Sequence, residues 1–206
     1  MYHKQRQIKK LTTYIPVAEA FRALASEQDC VFLDSSLVND LGRFSIIGAC
    51  PYLKLVKDGE KFFINEKEET GITFENYLRN YLRDHVDQNE SELPLVSGAV
   101  GYFSYDYGRK LQGVPSGEKD LVEIPDAVLT FYDVYLIEDC HQKKTYLVAN
   151  GITADASEKI REMEQKIRHR TERKEEQRVP HNIIVTPNFE KEEYKKAVDD
   201  MIHYII

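Results

Sequence analysis

Apolar residues recur every three or four positions in four stretches of the chain, which is the spacing of one helix face. The predicted helices cover residues 17–27, 73–85, 155–178 and 189–206. Pro16 opens the first helix, because the N–H that proline lacks has no intrahelical partner in a first turn. Asn188 is the predicted cap of the last helix. The tail of the third helix, residues 168–178, is almost wholly polar and is expected to fray or to serve as a linker.

Shorter runs rich in β-branched and aromatic residues lie between these stretches and predict strands. The predicted strands cover residues 7–13, 30–34, 43–48, 53–57, 61–64, 96–107, 127–138 and 145–149. Asp58-Gly59 lies between the fourth and fifth strands, and this pair suits the positive φ angles of a tight hairpin turn. Residues 86–94 are polar, end in Pro94 and predict a loop. The layout indicates an α+β fold, with an antiparallel β core and attached helices.

Composition narrows the class of protein. The chain has 206 residues and a formal net charge of −7, which argues against nucleic acid as the main partner because phosphate binding requires a basic face. No apolar run approaches the ~20 residues of a membrane helix. The amino terminus carries charge but no following apolar stretch, so it does not resemble a signal peptide. We therefore predict a cytoplasmic protein that binds neither nucleic acid nor membrane.

The cysteines and histidines do not have the spacing of metal ligands. Cys30, Cys50 and Cys140 are widely separated and form no CxxC pair, which the usual zinc sites require. The six histidines are scattered, and no two share ligand spacing on one predicted element. The sequence therefore predicts no metal site in this chain and three free thiols, buried or half-buried.

Three glycines in the 96–108 stretch invite comparison with a phosphate-binding loop. Gly98, Gly101 and Gly108 match neither GxxxxGK[ST] nor GxGxxG, and no helical pattern follows them. We expect instead that they lie in strands where another backbone or a ring packs closely.

Several carboxylates near the ends of predicted strands are candidates for acid–base chemistry, namely Asp106, Asp120, Glu123, Asp126 and Asp133. Such chemistry requires two of them in one cleft, which a sequence does not show, and turn or surface roles are commoner. Asp106 lies close to Arg109, and we predict a partly buried structural bridge between the two.

Arg43 is the cation most in need of a partner, because it directly precedes a predicted buried strand. The sequence leaves three partners open: Asp34, another carboxylate, or the carboxylate of a bound amino acid, which the planar guanidinium fork of arginine suits. Ser35 and Ser45 offer hydroxyl groups nearby. From the residues alone, a structural ion pair is favoured over a ligand.

Ordered motifs along most of the chain carry a family resemblance. They are Leu33-Asp34-Ser35, Gly42-Arg43-Phe44-Ser45, Ser97-Gly98-Ala99-Val100-Gly101-Tyr102-Phe103, Tyr105-Asp106-Tyr107-Gly108-Arg109, Ile124-Pro125-Asp126, Phe131-Tyr132-Asp133 and Phe189-Glu190-Lys191-Glu192-Glu193-Tyr194. Together they resemble the amino-terminal region of the component I subunits of aminodeoxychorismate synthase and anthranilate synthase. Two of these motifs, at residues 105–109 and 131–133, look more like the aminodeoxychorismate type.

The resemblance implies a fold, an activity and partners. The family fold is α+β, with antiparallel sheets in an orthogonal, sandwich-like core and peripheral helices, to which both halves of the chain contribute. The complete enzyme aminates chorismate in the presence of Mg²⁺. In the folate pathway the product is 4-amino-4-deoxychorismate, the precursor of p-aminobenzoate. The ammonia comes from a glutamine amidotransferase, component II.

The resemblance also assigns residues. By match to the tryptophan pocket of the relatives, Ser35, Arg43, Phe44 and Ser45 are the candidate effector site. The relatives regulated by tryptophan usually have glutamate before the serine, where this chain has Asp34. The catalytic and magnesium-binding groups belong to the half of the family fold that follows Ile206, so this chain is expected to contain no catalytic residue, to hold no cofactor and to be inactive alone.

Three regions and two further functions complete the sequence-based expectations. Residues 1–150 are predicted to form the component I-like amino-terminal domain, residues 151–185 a charged helix and linker, and residues 186–206 the start of a truncated chorismate-binding domain. One alternative function is that of anthranilate synthase component I, in tryptophan biosynthesis. The other is a stand-alone amino-acid-binding module.

Overall fold

Two long antiparallel strands, β3 (Phe44–Asp58) and β7 (Ala127–Asp139), run side by side through the centre of the sheet in a computed structural model of the chain. The structure describes residues 6–115, 123–171, 184–187 and 189–205. The other elements in these ranges are β1 (Gln7–Lys10), α1 (Val17–Leu24), β2 (Val31–Leu33), β4 (Lys61–Ile64), β5 (Lys67–Glu68), α2 (Phe74–Asp84), β6 (Ala99–Phe103), α3 (Tyr105–Leu111), β8 (Lys144–Ala149), α4 (Ala156–Thr171) and α5 (Lys191–Ile205).

The two central strands have different neighbours at their two ends. Where the start of β3 lies beside the end of β7, the sheet order is β1-β8-β7-β3-β2. Where the end of β3 lies beside the start of β7, the order is β6-β7-β3-β4-β5. Every pairing is antiparallel. The predicted α+β class, with antiparallel strands and peripheral helices, is confirmed.

β3 joins two strands that the sequence predicts as separate, at 43–48 and 53–57. The register against β7 shifts between Pro51 and Leu53, and Cys50 has a left-handed backbone with φ of 55°. A bulge of this kind admits an extra residue while pairing continues on both sides. Pro51 has no N–H to donate to a strand ladder, and the bulge accommodates it within a single strand.

The predicted hairpin between β3 and β4 is confirmed, with its turn shifted by one residue. Asp58 pairs with Lys61, so Gly59 and Glu60 form the two-residue loop. Gly59 has a φ of 56°, and a glycine at the first central position is typical of a type II′ turn.

The predicted strand at 96–107 is wrong at both ends, because the observed strand covers only residues 99–103. β6 ends at Phe103, and α3 begins at Tyr105 because Ser104 caps it. The Oγ of Ser104 accepts a hydrogen bond of 3.1 Å from the amide of Tyr107, which satisfies one of the free donors of a helix start. The tyrosines of this stretch favour strands, but the serine cap decides the local structure.

Three groups of buried side chains form the core within the described residues. The first lies between one sheet face and the helices α1 and α4, and it includes Ile160, Met163 and Ile167 of α4. The second lies around the end of β3, β4, α2 and α3. The third covers the opposite face of the sheet, near Tyr135 and the segment 93–96.

The chain divides into two compact units, residues 1–173 and residues 174–206. Within the second unit α5 begins at Lys191, two residues after the predicted start. The carbonyl of Glu190 accepts a hydrogen bond from Tyr194 N, and the Glu190 amide donates to the carboxylate of Glu193. The predicted cap Asn188 and residues 172–178 of the predicted tail lie outside the described residues. Residues 168–171 of that tail do not fray but continue α4 to its end.

Buried carboxylates fasten the sheet to the segments around it. The sequence predicts turn or surface roles for Asp126 and Asp133, but both are buried. Asp126 accepts hydrogen bonds from Gly59 N and Lys110 Nζ, and Asp133 accepts from Ile152 N and Thr153 N. Asp120 lies outside the described residues.

Glu138 supplies the cap that α1 lacks in its own sequence. Pro16 precedes this helix and offers no side-chain hydrogen bond. The buried carboxylate of Glu138, on β7, accepts a hydrogen bond of 2.8 Å from the amide of Val17 and another from the hydroxyl of Tyr14. A negative charge at a helix amino terminus is favourable, so one side chain of the sheet sets where α1 begins.

Candidate functional site

The four predicted effector residues lie together where the chain leaves β2 and enters β3. Ser35 follows β2, while Arg43, Phe44 and Ser45 lead into β3. The structure therefore brings all four residues into one place. Ser45 is buried, and the other three are half-buried.

The serine hydroxyls bind neighbouring groups of the chain. Ser35 Oγ donates to the carbonyl of Phe44 at 2.7 Å, and Ser35 N donates to Ser45 Oγ at 2.9 Å. Ser45 Oγ donates to Asp34 Oδ1 at 3.2 Å and lies 3.7 Å from the sulfur of Cys140. These bonds close the loop at residues 34–45 and hold its two ends side by side.

Of the partners that the sequence left open for Arg43, the structure shows Asp139 at the end of β7. The Nε and Nη2 atoms of Arg43 donate to Asp139 Oδ2 at 3.1 and 2.6 Å. Asp139 Oδ1 accepts from the amides of His141 and Gln142 at 3.1 and 2.9 Å. Asp34 instead binds Ser45. The favoured structural ion pair is confirmed, with a partner 96 residues away.

The electrostatics of this pair follow from its burial. The side chain of Asp139 is only 4% exposed, while that of Arg43 is 38% exposed. Burial by itself would raise the pKa of Asp139, but the hydrogen bonds from Arg43 and from the two amides lower the pKa overall. The same contact raises the pKa of Arg43. Both groups are therefore charged across the physiological pH range.

The surroundings of Arg43 combine charge with apolar surface. Its guanidinium carbon lies 4.6 Å from the centre of the Phe44 ring, a cation–π contact. Leu37 and Leu41, in the same loop, are 74% and 99% exposed. Within the described residues, Nη1 of Arg43 makes no hydrogen bond. Such a site can orient a carboxylate beside an apolar or aromatic group.

A cleft that sequence reasoning did not predict lies at the β3 bulge. Its volume is about 280 Å³, and its lining includes Asp29, Tyr52, Lys54 and Asn65. Lys54 Nζ and Asp29 Oδ1 are 2.7 Å apart. The cleft is polar because the bulge and the neighbouring turn place charged side chains there. No pattern in the sequence indicates that these side chains lie close together.

The remaining candidate residues have structural roles. Arg109 Nε donates to Asp106 Oδ1 at 2.8 Å, so the predicted bridge is confirmed. A Cβ on Gly101 would lie 1.8 Å from the carbonyl oxygen of Val128, which confirms a close approach of two backbones. Gly108 is wrong as a strand residue and lies in α3.

Neither a metal-binding cluster nor a membrane-spanning helix is present among the described residues. No group of three or more histidine, cysteine, aspartate or glutamate side chains is arranged to hold a metal ion. No helix is long and apolar enough to cross a membrane.

Comparison of the sequence with known families identifies the class of protein to which this chain belongs. Residues 35–206 match the family described as chorismate binding enzyme, so the chain belongs to that family. It is 34% identical over 109 residues to aminodeoxychorismate synthase component 1 of Escherichia coli (strain K12), an alignment that covers 50% of this chain and 24% of that protein.

Other relatives belong to both branches of the family. The chain is 31% identical over 130 residues to aminodeoxychorismate synthase component 1 of Klebsiella aerogenes, covering 60% of this chain and 29% of that protein. It is 28% identical over 131 residues to anthranilate synthase component 1 of Acetivibrio thermocellus, covering 60% and 26%. The chain therefore spans about a quarter of the length of these curated relatives.

A solved structure is also similar. The crystal structure of anthranilate synthase component I from Streptococcus pneumoniae TIGR4 aligns with 77% of this chain and 34% of that chain, at 23% identity and a TM-score of 0.48.

Proposed function

We propose that this chain is the amino-terminal part of aminodeoxychorismate synthase component I, whose full-length form converts chorismate to 4-amino-4-deoxychorismate for p-aminobenzoate and folate biosynthesis. The observation that carries the proposal is the family match over residues 35–206, together with the 34% and 31% identities to component 1 of that enzyme. Because these alignments cover about a quarter of the relatives, the activity is assigned to the full-length protein.

Two motifs favour this branch over anthranilate synthase, and both have defined structural roles. In the segment 105–109, Tyr107 packs edge-on against Phe74 and its hydroxyl donates to Glu75 at 2.8 Å. In the segment 131–133, Asp133 binds the chain that leads into α4. The motifs therefore belong to the framework of the domain, and their support for this branch comes from the sequence resemblance.

The proposal includes partners and a cofactor. The relatives are component 1 proteins, which supports a component II partner, and we assign to it the role of a glutamine amidotransferase that delivers ammonia. Mg²⁺ and chorismate are expected to bind to the full-length protein, through groups that the family resemblance places outside this chain. The cytoplasmic location also stays a prediction.

The decisive experiment uses the full-length gene product with chorismate, Mg²⁺ and an ammonium salt, and identifies the product by chromatography. We expect 4-amino-4-deoxychorismate, which becomes p-aminobenzoate only when a separate lyase is added. Formation of anthranilate with free pyruvate would overturn the proposal in favour of the tryptophan pathway. The 206-residue chain alone is the control and is expected to show no turnover.

A second candidate function, binding of an amino acid such as tryptophan, is favoured by the half-exposed guanidinium of Arg43 beside Phe44 and exposed leucines. Calorimetry with tryptophan tests it on the 206-residue chain and on the full-length protein. Loss of binding in Arg43→Gln, with binding retained in Arg83→Gln, would support an effector site at Ser35, Arg43, Phe44 and Ser45. Arg83 is a suitable control because it forms an exposed ion pair elsewhere on the surface.

The same titration distinguishes a stand-alone amino-acid-binding module from a part of a synthase. Micromolar affinity in the 206-residue chain alone would favour the module. Binding only in the full-length protein would favour a site completed by the rest of the enzyme.

A further inference from the structure

Cys50 has an unusual backbone in the middle of β3. Its φ angle is 55°, in the left-handed region that residues other than glycine, asparagine and aspartate rarely adopt. The register shift of the bulge follows immediately, between Pro51 and Leu53. A non-glycine residue held in this region costs about 1–3 kcal/mol elsewhere in proteins, and such residues concentrate at functional sites.

The left-handed turn changes the face on which the Cys50 side chain lies. Successive side chains of a strand alternate between faces, and Ile47 and Ala49 both pack in the first core cluster, under the helices. Regular alternation would place Cys50 on the opposite face from Ala49. Cys50 instead packs against the same cluster as Ala49, because the backbone turns at this residue.

Cys30 reaches the same face from the neighbouring strand. Cys30 directly precedes β2, and Val31 pairs with Gly48, so an extension of this register by one residue is expected to bring Cys30 beside Ala49. Cys30 also packs against the first core cluster. From a strand spacing near 5 Å and a rise near 3.3 Å, the Cα atoms of Cys30 and Cys50 are expected about 6 Å apart, within the range that disulfides span.

The two thiols share one environment and are accessible. Both side chains are half-buried, whereas Cys140 is buried. Burial raises the pKa of Cys30 to about 11, with smaller contributions from Glu27 and from Cys50 itself, and burial also raises the pKa of Cys50. The thiols are therefore protonated at neutral pH, and their reaction with oxidants is expected to accelerate as the pH rises.

From this juxtaposition we propose that Cys30 and Cys50 form a reversible disulfide, a redox-sensitive link between β2 and the bulge of β3. The two thiols lose two protons and two electrons as the S–S bond forms, and a low-molecular-weight disulfide such as oxidised glutathione accepts them and becomes two thiols. The proposal is independent of the reaction that the full-length protein catalyses.

The link would act on the candidate effector site. β2 leads directly to Asp34 and Ser35, which bind Ser45 at the start of β3. A disulfide between residues 30 and 50 closes the chain segment that carries all of these residues. We therefore expect the oxidised chain to resist unfolding more strongly than the reduced chain, because the cross-link restricts the unfolded state.

The experiment oxidises the 206-residue chain with oxidised glutathione at pH 8.5, blocks remaining thiols and maps tryptic peptides without reduction. Trypsin separates the three cysteines into the peptides 23–43, 44–54 and 120–143. We expect the first two peptides to be linked, and thermal unfolding to shift upward by roughly 5 °C or more, with reversal by dithiothreitol. The Cys140→Ala variant is the matched control and is expected to form the same link.

Other outcomes would overturn the proposal. Mixed disulfides with glutathione on Cys30 or Cys50, without a link between the peptides, would show that the thiols are accessible but too far apart. Links that involve Cys140 as often as the proposed pair would show that the fold does not select the pair. The Cys30→Ser and Cys50→Ser variants, tested separately, must each abolish both the linked peptides and the thermal shift.

Discussion

Asp139 combines two structural tasks in a single side chain. One carboxylate oxygen binds the guanidinium of Arg43, and the other binds the amides of His141 and Gln142 in the turn that follows β7. The need of Arg43 for a partner is predictable from its position before an apolar strand. The identity of that partner is not, because 96 residues separate the two and only the pairing of β3 with β7 brings them together.

The first prediction concerns Asp139→Asn. The asparagine side chain keeps its size and an acceptor for the turn amides but loses the charge that binds Arg43. We expect the free energy of unfolding at pH 7 to fall by about 1–2 kcal/mol, since hydrogen bonds between charged groups are the stronger ones but Arg43 is partly solvated. Urea denaturation of both proteins measures the difference.

The stabilising effect of Asp139 is expected to depend on pH in a definite direction. The pKa of Asp139 is lower in the folded chain than the value of about 3.9 in an unfolded chain, so its stabilising effect is complete above that value and is lost as the pH falls through the folded pKa. The difference in free energy of unfolding between the parent chain and Asp139→Asn should therefore disappear at acidic pH. Asp84→Asn, in an exposed ion pair, is the control and should cause no measurable change. A difference that persists at acidic pH would contradict the stabilising role of the Asp139 charge.

At the scale of elements, β6 and α3 show competition between local preferences. The run of tyrosine, valine and phenylalanine at 99–103 forms the strand that its composition predicts. Ser104 then caps a helix in which Tyr105 and Tyr107 are strand-favouring residues. A serine followed by an acidic residue in the first turn is the signal that the sequence contained. Helix α1 is the opposite case, because its cap, Glu138, comes from a strand far along the chain.

The second prediction uses two glycines of this region. A Cβ on Gly101 would lie 1.8 Å from the carbonyl oxygen of Val128, where neither backbone can yield without breaking the β6–β7 pairing. We expect Gly101→Ala to lower the free energy of unfolding by about 3 kcal/mol or more. Chemical denaturation measures the loss, and hydrogen exchange of the amides of β6 locates it.

Gly108→Ala is the matched control for the same chemical change. Gly108 lies inside α3, and a Cβ there would meet nothing within 4 Å. Alanine favours helix over glycine by up to about 1 kcal/mol, so this variant should be as stable as the parent or more stable. Equal losses in both variants would contradict the close approach at Gly101.

At the scale of the whole molecule, the ladder between β3 and β7 organises the first unit. Twelve residue pairs connect these strands, and all of the smaller strands except β1 and β5 pair directly with one of them. The three core clusters draw their buried residues from positions 11 to 167. α4 completes the first cluster with four fully or almost fully buried side chains, those of Ala156, Ile160, Met163 and Ile167. Its narrow apolar stripe is therefore a core element despite its highly charged sequence.

The third prediction follows from this distribution of the core. A chain that ends at residue 173 retains every residue of the three clusters and should unfold within about 2 °C of the 206-residue chain. A chain that ends at residue 155 loses Ile160, Met163 and Ile167, which leaves the first cluster open to solvent. This shorter chain should therefore show no cooperative unfolding transition at the unfolding temperature of the 206-residue chain. Circular dichroism measures both, and a large loss of stability in the longer chain would contradict the prediction.

The sequence by itself determined the kinds of elements and most of their places. Helical periodicity at residues 17–27 and 73–85, apolar runs at 127–138 and 145–149, and the Asp58-Gly59 turn each depend on neighbours a few residues away, which a sequence displays directly. Ordered motifs from Leu33 to Tyr194 indicated the family to which the chain belongs. The tertiary structure alone decided which residues meet: β3 as one bulged strand, Asp139 beside Arg43, Glu138 at the start of α1, and Cys50 on the face of Cys30. These meetings depend on strand register and a single backbone angle, and neither is determined by residues adjacent in the chain.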